Sequence, residues 1–183
     1  MQEIADEALM QAYADGDSAA FERLYARHRG PLYRFILRRV GDPAAANDLY
    51  QGCWEKVIRA RASYTARAPF RAWLYRIARN HVVDHFRRSR PTGELVEETI
   101  ETGNPGPEQL LIGEQAAGRL LSAVSALPAE QREVLLLRLE AGLDVATIAE
   151  ITATAPETAK SRLRYAIAKL KRSLGPEQDG ADP

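Results

Sequence analysis

The chain has one cysteine, three histidines and two methionines in 183 residues. A lone thiol, Cys53, excludes a disulfide framework and a cysteine metal cluster. Its apolar neighbours along a helix mark it as a core residue rather than a redox sensor. Long hydrophobic runs are missing, so no stretch approaches membrane-spanning length. The acidic N-terminus lacks the basic start of a signal peptide, and the chain is expected in the cytoplasm, away from any membrane. His81 and His85 stand four apart, a ligand spacing, but Val82 follows the first where a zinc protease needs glutamate. With no third ligand and no catalytic carboxylate cluster evident, no enzyme activity, metal or cofactor is expected. Net charge is missing too, since 25 Lys/Arg offset 25 Asp/Glu.

That balance hides segregation. Residues 59–90 carry nine arginines against one acid, Asp84, and residues 155–172 carry six Lys/Arg against Glu157. Between them, residues 91–114 hold six glutamates and no base. Two basic islands separated by acid point to two nucleic-acid contacts. In the first island Phe70, Trp73, Leu74, Ile77 and Phe86 recur at helical spacing. Arg71, Arg76, Arg79, Arg87, Arg88 and Arg90 take most of the other face. Rings beside a cationic track suit melted or single-stranded nucleic acid, because cations follow phosphates and rings stack on bases that have left the duplex.

Nearly every segment repeats apolar residues at helical period, and none alternates as a strand does, so the fold is expected to be all-α. Helices are expected at 6–15, then from a cap at Asp17 or Ser18, with Pro31 bending or splitting the second. Asp42-Pro43 caps and starts a third helix, and a loop at 61–68 leads to the helix from Pro69. Four more are expected at 108–126, 128–140, 144–151 and 156–174. Three prolines and three glycines fall within residues 91–107, a linker composition. The reading is two small helical domains, 1–91 and 108–174, on a flexible acidic linker at 92–107, with a disordered tail at 175–183.

A short helix at 144–151, a turn and a long basic helix have the layout of a helix-turn-helix. Val145, Ile148 and Ala149 face inward on the first helix. Leu163, Ile167 and Leu170 form the buried stripe of the second, leaving Lys160, Ser161, Arg164 and Tyr165 toward a major groove.

Taken together, these segments resemble the extracytoplasmic-function (ECF) group of the sigma-70 family, bacterial transcription-initiation factors. AFERLYARHRGPLYRF, NDLYQGCWEKV and FRAWLYRIARNHVVDHFRR are similar to the promoter-melting region 2. LPAEQREVLLLRLEAGLDVATIAE and PETAKSRLRYAIAKLKRSL are similar to region 4. The resemblance implies a sigma factor that binds core RNA polymerase, directs it to promoters and helps melt the −10 region. It places Asn47, Asp48, Leu49, Gln51 and Trp54 on the surface that docks on the beta-prime clamp helices. Trp73, Arg76, Asn80, Asp84, Arg87 and Arg88 fall at the −10 element, and Lys160, Ser161, Arg162, Arg164 and Tyr165 at the −35 element. Region 4 would meet the beta flap, and an anti-sigma factor or a regulatory kinase is a further partner it allows. A stand-alone helix-turn-helix regulator is the alternative, but DLYQ and WLYRIARN have no role in a simple duplex reader.

The chain departs from the family pattern in two places. The acidic run before the clamp-binding glutamine is reduced to Ala45-Ala46-Asn47-Asp48, and the acid that commonly follows the glutamine is Gly52. Apolar contacts would make up the deficit, or a phosphate on Ser63, Tyr64 or Thr65 would supply nearly two charges. In the helix-turn-helix turn, Thr152-Ala153-Thr154-Ala155 replaces Leu-Gly-Ile-Ser, losing a glycine tolerant of positive φ and a serine cap unless Thr154 takes over.

Overall fold

A computed structural model describes residues 4–89 and 112–175, with side chains in the second stretch from residue 117. The expected linker at 92–107 and nearly all of the expected tail lie outside the described residues. Within them the fold is all helical. The helices are α1 (Asp6–Ala14), α2 (Ser18–Val40), α3 (Pro43–Ala60), α4 (Phe70–Ser89), α5 (Ile112–Ser125), α6 (Ala129–Glu140), α7 (Val145–Thr152) and α8 (Pro156–Leu174). A 3-10 turn at Arg61–Ser63 follows α3.

Local chemistry sets the starts of three helices. Asp17 accepts from the amides of Ala19 and Ala20, Asp42 from Ala44 and Ala45, and Asp144 from Thr147. Each satisfies amides that have no partner inside the helix. Pro31 does not split α2, which runs unbroken from Ser18 to Val40. Proline removes one hydrogen bond, but Leu24, His28, Leu32, Phe35, Ile36 and Val40 form one buried stripe across it, and packing of both halves keeps them in a single helix. Gly41, at φ 77°, closes α2 and turns the chain into α3.

Helices α1 to α4 share a core of Met10, Leu24, Phe35, Cys53, Phe70, Leu74 and Tyr75, all fully buried. Burying each large side chain contributes about 1.5–3 kcal/mol. Asp6 ties three helices together from inside. Its carboxylate meets Arg27, His28 Nε2 at 2.8 Å and Arg71 Nε at 3.5 Å. Burial alone would raise its pKa, but the bonds from His28 and Arg27 outweigh that and hold it down to about 2. The neighbouring Glu7 Oε1 accepts from the Phe70 amide at 2.7 Å, so α1 caps the start of α4.

In the second helical set α6 is central. Its six consecutive residues Arg132 to Leu137 are all buried, which an ordinary amphipathic helix does not allow. One side packs on α7 and α8, and α2 covers the other. The stripe expected on α8 is shifted. Ala159 and Ala166 are its fully buried residues, Leu163 and Leu170 are half-buried, and Ile167 is 41% exposed. The two alanines let α8 approach closely, so burial there follows small residues rather than large ones.

Candidate nucleic-acid and partner interface

Helix α3 has two faces. Ala46, Leu49, Cys53 and Val57, at spacings of three and four, face the core, with Trp54 beside them. Asn47, Asp48 and Gln51 point outward. Two members of the expected docking set are therefore corrected. Leu49 is 7% and Trp54 5% exposed, and Trp54 packs at 5.0 Å from the Tyr25 ring and 5.8 Å from Phe21. They support the surface rather than form it. The outward stripe continues through Glu55 to Ile58, which is 43% exposed. The i, i+4, i+7 spacing from Gln51 was the signal for both.

Cys53 is buried, and that burial pushes its thiol up to about 12. Gly52 has a close neighbour in His81. A Cβ there would stand 3.1 Å from His81 Cε1, so the imidazole occupies the space a side chain would need. Burial, then the charge of Lys56, pulls the His81 pKa down.

The other departure is not remedied as the sequence allowed. Ser63 and Thr65 are exposed, but they follow the C-terminal end of α3, whereas Asp48 lies near its start. Twelve residues of helix separate Asp48 from Ala60, about 18 Å along the axis. That exceeds the screening length of about 8–10 Å, so phosphate at 63 or 65 does not replace charge at 45–48. Tyr64 is buried at 9% exposure.

On α4 the rings divide. Phe70 and Leu74 belong to the core, which removes them from the expected stacking track. Trp73 is half-buried, its ring 5.2 Å from Tyr64 and 5.8 Å from Phe70. Tyr64, from the preceding loop, is a ring neighbour that helix periodicity had no means of revealing. Asn80 and Arg88 are exposed. Asp84 pairs with Arg87 at 3.1 Å and accepts, through its backbone carbonyl, from Arg88 Nε at 3.2 Å. Arg76 reaches Glu150 of α7 at 3.9 Å.

On α8, Lys160, Arg164 and Tyr165 are exposed and Ser161 is half-buried. The Arg164 guanidinium lies 5.2 Å from the Tyr165 ring centre. Arg162 is turned back to Glu130 of α6 and is largely covered. The turn ahead of α8 stores strain. Ala153 sits at φ 54°, ψ 45°, the one positive-φ residue other than glycine among those described. Thr154 does not replace the missing cap, because its hydroxyl meets Thr152 Oγ1 at 3.0 Å and Ala155 caps α8 without a side-chain bond.

Two family models match these helical sets, Sigma-70 region 2 over residues 24–92 and Sigma-70, region 4 over residues 117–170. The chain is 36% identical over 174 residues to the ECF RNA polymerase sigma factor SigL of Mycobacterium tuberculosis, covering 91% of this chain and 96% of SigL. The chain belongs to the ECF group of the sigma-70 family. This sigma factor is also 34% identical over 172 residues to the ECF sigma factor BldN of Streptomyces coelicolor, covering 91% of itself but only 64% of BldN. Its fold is similar to CnrH solved with the cytosolic domain of CnrY, with TM-score 0.68, 24% identity and coverage of 93% and 97% of the two chains. It is likewise similar to RpoE solved with the anti-sigma factor NepR from Bartonella quintana, with TM-score 0.66, 23% identity and coverage of 86% and 98%. Among its described residues no helix is long and apolar enough to cross a membrane, and no group of three or more His, Cys, Asp or Glu is placed to hold a metal ion.

Proposed function

We propose that this sigma factor docks on core RNA polymerase through the outward stripe of α3, Asn47, Asp48 and Gln51, extended by Glu55 and Ile58. The polymerase then performs the chemistry, and the sigma factor selects the promoter. Trp73, Arg76, Asn80, Asp84, Arg87 and Arg88 meet the −10 element, where half-buried Trp73, backed by the buried Tyr64 ring, offers an aromatic surface to an unpaired base. Lys160, Ser161, Arg164 and Tyr165 enter the major groove at the −35 element. Arg162 acts there only after leaving Glu130. An anti-sigma factor is a partner class in keeping with the complexes in which CnrH and RpoE were solved.

The observation that carries the reading is the difference between the two basic surfaces. One pairs cations with a half-buried ring that faces a loop, and the other presents cations on the second helix of a helix-turn-helix. The first suits an opened strand and the second an intact duplex. The test is transcription with purified core polymerase, run alongside binding to duplex and to pre-melted promoter fragments. Arg164→Ala is expected to weaken −35 duplex binding by about 1–3 kcal/mol and to leave binding of pre-melted −10 DNA unchanged. Asn80→Ala is expected to do the reverse. Equal losses in both assays for either variant, or tight duplex binding by a chain that ignores polymerase, would favour the stand-alone regulator.

A further inference from the structure

A cleft of about 410 Å³ lies where α4 meets the start of α6 and the turn before α8. Its volume falls within the range of small-molecule sites, about 300–1,000 Å³. One wall is a single face of α4, where Arg79, Val83, Phe86 and Arg87 succeed one another at helical spacing. The first turn of α6 and Arg162 of α8 form the other wall, and Arg39 of α2 also lines the cleft. Thr152 and Thr154 close one end. Thr152 donates to the Ile148 carbonyl at 2.8 Å and meets the Thr154 hydroxyl at 3.0 Å. The threonines therefore give shape, and the arginines give charge.

Not all of that charge is matched. Glu133 is shared between Arg39 Nη2 and Arg79 Nε, at 3.2 Å from each. The two terminal nitrogens of Arg79 have no acceptor among the described residues, although its side chain is only 22% exposed. Arg162 pairs with Glu130, and Arg87 with Asp84 at 3.1 Å. Four guanidinium groups thus face three carboxylates. The two outer pairs rearrange easily, because Glu130 and Arg87 are well exposed and exposed ion pairs contribute little. Helix α6 starts at Pro128 without a side-chain cap, so its first amides have no capping oxygen and its dipole adds partial positive charge.

Planar guanidinium forks beside free amides fit phosphate oxygens two at a time. Val83, 40% exposed, and half-buried Phe86 set an apolar surface next to them, which a phosphate alone would leave uncovered. We propose that this cleft binds a phosphorylated molecule carrying a flat ring, a purine nucleotide by chemical class. Its phosphates meet Arg79, Arg87 and Arg162, and its ring lies on Phe86 and Val83. Neither apolar side chain can hydrogen-bond, so the wall holds a ring without reading the base. Both helical sets supply arginines, and neither alone completes the site.

The test is calorimetric titration of the full chain with adenosine diphosphate, guanosine diphosphate, pyrophosphate and adenosine. Wild type is compared with Arg79→Gln, Arg162→Gln and Arg23→Gln. Arg23 is exposed on α2, about 24 Å along the axis from Arg39. The two nucleotides are expected to bind alike, pyrophosphate roughly tenfold more weakly for want of the stacked ring, and adenosine not measurably. Arg79→Gln and Arg162→Gln are each expected to weaken nucleotide binding roughly tenfold, and Arg23→Gln to leave it unchanged. If Arg79→Gln loses its helical dichroism, Arg162→Gln decides alone. No nucleotide binding at millimolar concentration, or wild-type binding by a folded Arg79→Gln or Arg162→Gln, overturns the site. An equal loss in Arg23→Gln overturns it as well, since it marks general charge attraction. Pyrophosphate as tight as the nucleotides overturns the ring contact.

Discussion

Replacing Ala153 with glycine is expected to stabilise region 4. The helix-turn-helix turn needs a left-handed residue at this point, because the Thr154 amide donates to the Ala149 carbonyl at 3.0 Å across the end of α7, a closure that such a residue makes possible. At φ 54°, ψ 45°, Ala153 sits near the centre of the left-handed basin, where an L-residue with a Cβ loses about 1–2 kcal/mol. Its methyl is exposed, so removing it forfeits no packing. Glycine has more freedom in the unfolded chain, which returns about 0.4–1 kcal/mol. The net gain is about 0.5–1 kcal/mol, or a rise in Tm of roughly 1–4 °C for a chain of this size. Scanning calorimetry of the full chain measures the shift, and slower amide exchange in α7 and the start of α8 localises it. An unchanged or lower Tm, or slowed exchange only in α1 to α4, refutes the strain argument. Ala155→Ser, at an extended N-cap with no side-chain bond, is expected to add about 1 kcal/mol.

Two further substitutions probe the first domain. Asp6 has a pKa depressed from 3.8 to about 2, so its contribution is fully present above about pH 5 and disappears as pH falls through 4 toward 2. Asp6→Asn is expected to cost about 1–2 kcal/mol at pH 7 and to flatten acid unfolding across that window; parallel acid-unfolding curves for the two proteins would contradict this. Gly52→Ala gains about 1 kcal/mol of helix propensity but sets a Cβ 3.1 Å from His81 Cε1. Much of that gain is expected to be lost in moving the ring, leaving stability within about 1 kcal/mol of wild type. His81→Ala is expected to recover part of that gain in the double variant, and strict additivity in the thermodynamic cycle would rule out the contact.

The helix starts were legible because their causes are local. Asp17, Asp42 and Asp144 each reach amides two or three residues on, and no distant residue is needed. The faces of α3 were legible too, but motif order alone put Leu49 and Trp54 outside. The spacing of Ala46, Leu49, Cys53 and Val57 carries the correct answer. Of the two outcomes read for Pro31, the split does not occur, because the penalty of a proline is local, whereas the buried stripe that offsets it depends on α1, α3 and α4. The burial of Arg132 and Glu133 was not legible, since it requires α2 from the other region. Tyr64 was missed as a partner of Trp73 because it comes from a loop, where periodicity gives no direction. The turn residues 152–155 were read correctly as a problem, and the strained Ala153 with its uncapped neighbour is the physical form that problem takes.

The chain contains two tryptophans, and the fold gives them different surroundings. Trp54 is enclosed by Phe21, Tyr25 and Tyr50, while Trp73 is half-open to solvent next to a tyrosine. The molecule therefore carries its own pair of optical probes. A soluble quencher dims Trp73 first and leaves Trp54 emitting until the helices come apart, so one spectrum separates events at the Trp73 surface from unfolding without any attached dye.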